Sequence, residues 1–115
     1  MELRETVQDG LAVISLGGDV DHGNARLLDD ALLALLARGT IQVVVDLQGC
    51  SYIDSAGLSV FMTQLNRIGA GGVFAVAGPS DNLRRLFRVV GLTERPGFAI
   101  YPNTEAAVAA VLART

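Results

Sequence analysis

The sequence predicts a single α/β domain, residues 1–115, with a mixed, mostly parallel sheet, an N-terminal hairpin and about four helices. Three observations carry this prediction. Short β-branched runs such as IQVVV (41–45) and VFAVA (73–77) alternate with segments whose apolar residues recur at helical spacing. An Asp-Gly pair, Asp9-Gly10, stands between the first two strand-like runs. At 115 residues the chain has the length of one domain and lacks a linker, a repeat or a low-complexity tract. Strands alternating with helices imply right-handed crossovers and parallel pairing, in the order β-β-α-β-α-β-α-β-α.

The first two strands hold Leu3 and Val7, then Leu11 to Leu16. Both positions of a two-residue hairpin turn need positive φ, which Asp-Gly supplies, and Gly17-Gly18 ends the second strand. The first helix is expected from Asp21, a plausible N-cap, to Arg38-Gly39, with a cation in the last turn and Gly beyond it. Leu28, Ala31, Leu32 and Leu35 form its core stripe; Leu33 falls on the polar side and is expected to be exposed. The third strand, Ile41 to Val45, is short and β-branched, the composition of a strand buried on both faces. A loop, LQGCSYI, leads to Asp54-Ser55 and a second helix over about 56–68, with Leu58, Phe61, Met62, Leu65 and Ile68 as its core stripe. Val73 to Ala77 is a fourth strand. Ser80 caps a third helix with Leu83, Leu86, Phe87 and Val90 inward, and Gly91-Leu92 closes it. Phe98 to Tyr101 is the last strand, and Asn103 or Thr104 caps a fourth helix that runs to about Ala113.

Composition excludes several functions. Half of the residues are hydrophobic, so the chain is not disordered. Its longest wholly apolar runs, Ala31 to Ala37 and Ala106 to Ala113, are seven and eight residues, far short of a membrane span, so no membrane association is expected. The charged start MELRETVQDG does not have the apolar core of a signal peptide. A single cysteine, Cys50, excludes an internal disulfide and fits a reducing compartment, which gives a cytoplasmic expectation. The nine basic residues, all Arg, are outnumbered by twelve acidic ones for a net charge of −3, against direct nucleic-acid binding. The local cluster Arg84, Arg85 and Arg88 reads as a solvated helix face. Charged residues make up only 18%, which leaves apolar surface for a protein partner.

No catalytic constellation is present. Ser55, His22 and Asp46 are the only residues from which a triad can be imagined, and no Gly-x-Ser-x-Gly turn surrounds Ser55. One His and one Cys do not make a metal site, so neither a metal nor another cofactor is expected. The glycine cluster at 69–72 follows a helix and lacks the Lys-Ser/Thr of a nucleotide loop. His22 reads as a first-turn helix residue and Cys50 as a half-buried loop residue.

The informative segment is Tyr52-Ile53-Asp54-Ser55-Ala56-Gly57-Leu58, where a strand hands over to a helix at the carboxyl edge of the sheet. Ser55 sits where an N-cap belongs, and two readings follow. Its hydroxyl caps the first turn and does nothing else, or it is exposed enough to be phosphorylated. A phosphate there would face the free amides and the positive end of the helix dipole, so the fold would survive it. A partner pressed on the same patch would meet a desolvated dianion beside Asp54 and Asp21. Ala56 and Gly57 are small enough for close approach. On the helix, Ala56, Val60, Thr63 and Arg67 are expected to face away from the core stripe, with Ser59 at its margin, as a contact surface.

The segment VVVDLQGCSYIDSAGLSVF resembles the signature of the STAS domain, the fold of bacterial anti-sigma-factor antagonists. GGDVDHGNARLLDDAL and VFAVAGPSDNLRRLFRVVGL extend the resemblance over nearly the whole chain. It implies a non-enzymatic binding module in partner switching. The unphosphorylated form would bind an anti-sigma factor that is also a serine kinase and so free a sigma factor. Phosphorylation would end binding, and a serine phosphatase would restore it. By position the phosphoacceptor is Ser55, with Asp54 before it and Asp21 as the acidic residue ahead of the first helix. Ala56 stands where Ser or Thr is frequent. STAS-like domains also serve as accessory subunits of ABC lipid-transport systems and as constitutive signalling scaffold subunits, so those roles stay open. The expected state is a monomer or weak homodimer, with Leu33 as a hint of self-association.

Overall fold

The computed structural model describes residues 1–114. A hairpin of β1 (Glu2–Gln8) and β2 (Leu11–Gly17) opens the chain, followed by α1 (Ala25–Ala37), β3 (Gln42–Gly49), α2 (Ser55–Ile68), β4 (Val73–Ala77), α3 (Asp81–Val89), a short 3-10 turn (Leu92–Glu94), β5 (Phe98–Tyr101) and α4 (Thr104–Leu112). The five strands lie in the sheet in chain order. β1 and β2 are antiparallel and every later pair is parallel. The fold class and the element order are those expected from the sequence. The two-residue turn Asp9-Gly10 has φ of 55° and 80°, the left-handed pair that a right-twisted hairpin needs.

Each strand of the parallel region is covered on both faces. Val43, Val44 and Val45 are all buried, as a continuous β-branched run predicts. One face packs Ile14, Val45, Phe74 and Val76 against α1, α2 and α3. The other packs Leu11, Val44, Ala75 and Ala77 against Ala107 and Val111 of α4. Three aromatic contacts tie α2 and α3 to the sheet and to each other: Phe61 to Phe74 at 5.0 Å, Phe61 to Phe87 at 5.7 Å and Phe87 to Phe98 at 5.7 Å. Such pairs contribute about 0.5–1.5 kcal/mol each beyond area burial.

Helix ends follow local chemistry. Ser80 Oγ accepts the Leu83 amide at 3.2 Å, and Asn103 Oδ1 accepts that of Ala106 at 2.7 Å. Gly91, at φ 83°, follows α3 in the left-handed conformation. Leu33 is exposed as expected.

Five expectations are corrected. Asp21 does not cap α1; the cap position is Asn24, and Asp21 instead closes a turn in which its Oδ1 accepts the Gly23 amide at 2.9 Å. His22 therefore lies in that turn and not in the helix. β3 runs on through Asp46 to Gly49, because β2 continues to pair with it as far as Gly17↔Gly49. Cys50 is buried, not half-buried. Finally, α2 is rotated relative to its expected stripe. Val60 is buried and Gln64 fully so, while Leu58 and Met62 are only half-buried. The rotation follows from crowding on both sides of the helix. Gly57 packs against Ile53 and Val20, and Arg67 reaches across to Asp29 of α1 at 2.8 Å.

Candidate functional site

The β3–α2 junction is built by two loops zipped together. The Gly18 amide donates to the Gly49 carbonyl at 2.8 Å, Val20 N–H to Tyr52 O at 3.0 Å, and Asp54 N–H to Val20 O at 3.0 Å. Val20 and Ile53 form an isolated parallel bridge. Asp19 Oδ1 takes the amides of Ser51 and Tyr52 at 3.0 and 3.1 Å. The loop after β2 thus extends the sheet by one bridge and fixes the start of α2. None of this is visible in local sequence, since the partners are about 30 residues apart.

Asp54, not Ser55, is the N-cap of α2. Its Oδ1 accepts Ala56 N–H at 2.9 Å and Gly57 N–H at 3.1 Å, and its Oδ2 accepts His22 N–H at 2.9 Å. The His22 imidazole is almost fully exposed, with Nδ1 3.8 Å from Oδ2. The Gly57 amide is the main cause that holds the Asp54 carboxyl below its ordinary 3.8. The His22 and Ala56 amides and the His22 ring assist, and partial desolvation opposes them.

Ser55 is the first residue of the helix and is exposed, and its hydroxyl takes no part in the capping bonds. Sequence reasoning put the cap one residue late because Asp and Ser are equally good caps. The consequence is chemical. The amides of Ala56 and Gly57 are already held by Asp54, so a group on Ser55 Oγ would meet the helix dipole without that pair of donors.

The structure gathers some of the expected contact residues and removes others. Ser59 is exposed beside Ser55, and Ala56 and Thr63 are half-buried on the flank. Val60 and Gly57 are buried, so neither offers surface, contrary to the outward position expected for Val60. Arg67 is half-buried and committed to Asp29. Leu58 and Met62, assigned to the core from the sequence, and Tyr52, 57% exposed, are the apolar residues that the face does present. Asp21 stands near the site through its turn, one residue from the His22 amide that Asp54 holds. Cys50 Sγ donates to Tyr52 O at 3.4 Å, and burial pushes its thiol up from 9.0.

No cluster of three or more potential metal ligands occurs among the described residues. No helix among them is long and apolar enough to cross a membrane.

Comparison with known proteins fits this architecture. An anti-sigma-B factor antagonist from Staphylococcus aureus is 30% identical over 95 residues, which cover 82% of this chain and 88% of that protein. The crystal structure of an anti-sigma factor antagonist from Mycobacterium paratuberculosis superposes with a TM-score of 0.84 at 26% identity, over 96% of this chain and 92% of that one. The Bacillus cell fate determinant SpoIIAA in its phosphorylated form has the same fold, with a TM-score of 0.76 at 20% identity, over 96% and 99% of the two chains. The family model described as Mlab, STAS domain matches residues 3–101, from β1 through the end of β5, and the chain belongs to the STAS domain family.

Proposed function

We propose that the chain is a cytoplasmic anti-sigma-factor antagonist, switched at Ser55. Its unmodified form binds an anti-sigma factor that is also a serine kinase and so releases a sigma factor. Phosphate on Ser55 ends the binding, and a serine phosphatase restores it. The relatives named anti-sigma-factor antagonists support the general role. One observation supports the switch: the Ser55 hydroxyl is exposed at the first turn of α2 while Asp54 carries the cap.

The contact face on this reading is Tyr52, Ser55, Ala56, Leu58, Ser59 and Met62, with Thr63 at its edge. A partner seated there dehydrates the junction. A phosphate adds a charge of about −1.5 to −2 beside the Asp54 carboxylate. In water that charge is solvated and the helix dipole favours it, so the fold persists. Under a partner it is buried beside the Asp54 carboxylate, which is strongly unfavourable.

The test uses the cognate anti-sigma kinase, ATP and mass spectrometry of the modified chain. Phosphate is expected on Ser55 and absent from Ser55→Ala. Ser55→Asp is expected to weaken binding of the anti-sigma factor by roughly tenfold or more, with a Tm within a few degrees of the parent. Phosphate found only elsewhere defeats the proposal. Binding indifferent to Ser55→Asp points instead to a constitutive subunit, of an ABC transport system or of a scaffold.

A further inference from the structure

The open edge of the sheet has the chemistry of a self-pairing surface. β1 stands first in the strand order and, among the described residues, pairs only with β2. It is seven residues long, contains no proline, and its register with β2 is unbroken from Glu2↔Gly17 to Gln8↔Leu11. It lacks the short length, proline or bulge that commonly protects an edge, and its only edge protection is charge, at Glu2, Arg4 and Glu5. The two-residue loop closes a hydrogen-bonded pair at Gln8 and Leu11. Alternation then leaves the N–H and C=O groups of Val7, Glu5 and Leu3 directed to the open side.

The side chains of the same three residues face α1, because their partners Ala12, Ile14 and Leu16 belong to the core beneath that helix. Arg38 Nη2 meets Glu5 Oε2 at 3.1 Å, which identifies the side of α1 that overlooks β1. Leu27, Ala31 and Ala34 precede Arg38 on that side at helical spacing, and Leu27 is 54% exposed. Val7 is 53% exposed. Edge and helix together thus present an apolar border next to an unpaired strand.

We propose that a second copy of this chain covers this border, β1 against β1 in antiparallel register about a two-fold axis at Glu5. That register pairs Leu3 with Val7 twice and Arg4 with Thr6 twice, and it uses the outward N–H and C=O groups of residues 3, 5 and 7. The axis brings Glu5 opposite its own copy, a repulsive pair in isolation. Here each Glu5 lies 3.1 Å from its own Arg38, so the centre is a ring of two anions and two cations. Leu27 and Ala34 of the two α1 helices close over the strands. The sheet becomes ten-stranded, and its central edge disappears. α2 packs against α1 and β4, away from β1, so Ser55 stays free in both copies. The proposal does not depend on the role of Ser55.

Sedimentation equilibrium of the chain alone, up to millimolar concentration, tests it. A monomer–dimer equilibrium is expected. Val7→Lys and Leu27→Lys, both at exposed positions that the fold tolerates, should each weaken it roughly tenfold or more, and Ser55→Asp should leave it unchanged. Hydrogen exchange should show the Leu3, Glu5 and Val7 amides slowing as concentration rises. A monomer at every concentration overturns the proposal, as does a dimer that neither lysine variant weakens.

Discussion

The Asp54 carboxylate holds the His22 amide at 2.9 Å with one oxygen while the other caps α2 through Ala56 and Gly57. One side chain thereby starts the helix and ties the loop after β2 to it. The position of Ser55 is set by its neighbour, and the serine is relieved of structural duty. An exposed residue outside the capping bonds sits beside one that holds two elements together.

Asp54→Asn tests the charge in this arrangement. The carboxyl titrates below its ordinary 3.8 in the fold, so the folded chain holds that proton less tightly than the unfolded chain. The resulting stabilisation is fully present above the ordinary carboxylate value and is lost as pH falls through the lower folded value. Thermal denaturation should show the parent more stable than Asp54→Asn by a constant margin from about pH 5 to 8, shrinking below about pH 4. Asp54→Ala, which loses both acceptors, should lie lower at every pH. A margin that widens on acidification contradicts the assignment.

Gly57→Ala gives a result opposite in sign to simple helix propensity. In an open helix the change is favourable by about 1 kcal/mol. At this position the new Cβ lies 2.6 Å from Ile53 Cγ2 and 2.9 Å from Val20 Cγ1. Those two residues form the bridge between the zipped loops and have no slack. Overpacking of this kind typically lowers stability by about 1–3 kcal/mol, and the melting temperature should fall by several degrees. A rise would mean that the bridge yields easily.

These examples show what the sequence could and could not reveal. The hairpin, the buried β3 and β4 runs and the Ser80 and Asn103 caps were legible because their signals are local: a turn dipeptide, a β-branched run, a side chain three residues from its amide. The Asp54-Ser55 junction was legible as a place, but not in its division of labour, since two adjacent residues could each cap. Phe61, Leu65 and Ile68 take the core positions their spacing predicts and Leu58 and Met62 pack at the core's margin, but Val60 turns inward with Gln64. What rotates the helix is the Arg67–Asp29 ion pair and the close seat of Gly57, contacts with residues 38, 37 and 4 positions away that no helical period contains. Asp19 and His22 act across the same gap, Asp19 through its carboxylate and His22 through its backbone amide.

Cys50 is expected to be a packing residue with an inert thiol. Its burial, with the thiol pushed up from 9.0, leaves little thiolate near neutral pH. Alkylation by iodoacetamide of the native chain at pH 8 should be slow and should accelerate on addition of denaturant. Rapid native labelling would show that the 50–54 loop opens far from its zipped state, and would put the fixed geometry around Ser55 in doubt.

Gln64 offers the sharpest stability test. It is fully buried on the core side of α2, and neither its amide nitrogen nor its oxygen has a hydrogen-bond partner among the described residues. A buried, unpaired polar group costs about 1–3 kcal/mol, whereas an apolar side chain of similar length would add contacts with the surrounding cluster. Gln64→Met and Gln64→Leu should therefore raise stability, by about 1–3 kcal/mol in denaturant titrations, with an unchanged m value. Both variants leave the Ser55 face intact, so on the proposed function binding of the anti-sigma factor should not change. A loss of stability in both would mean that the amide is satisfied in solution, by a bridging water or by a shift of α2. Loss of binding with stability gained would mean that the imperfect seat of α2 is retained because the partner requires the helix to move.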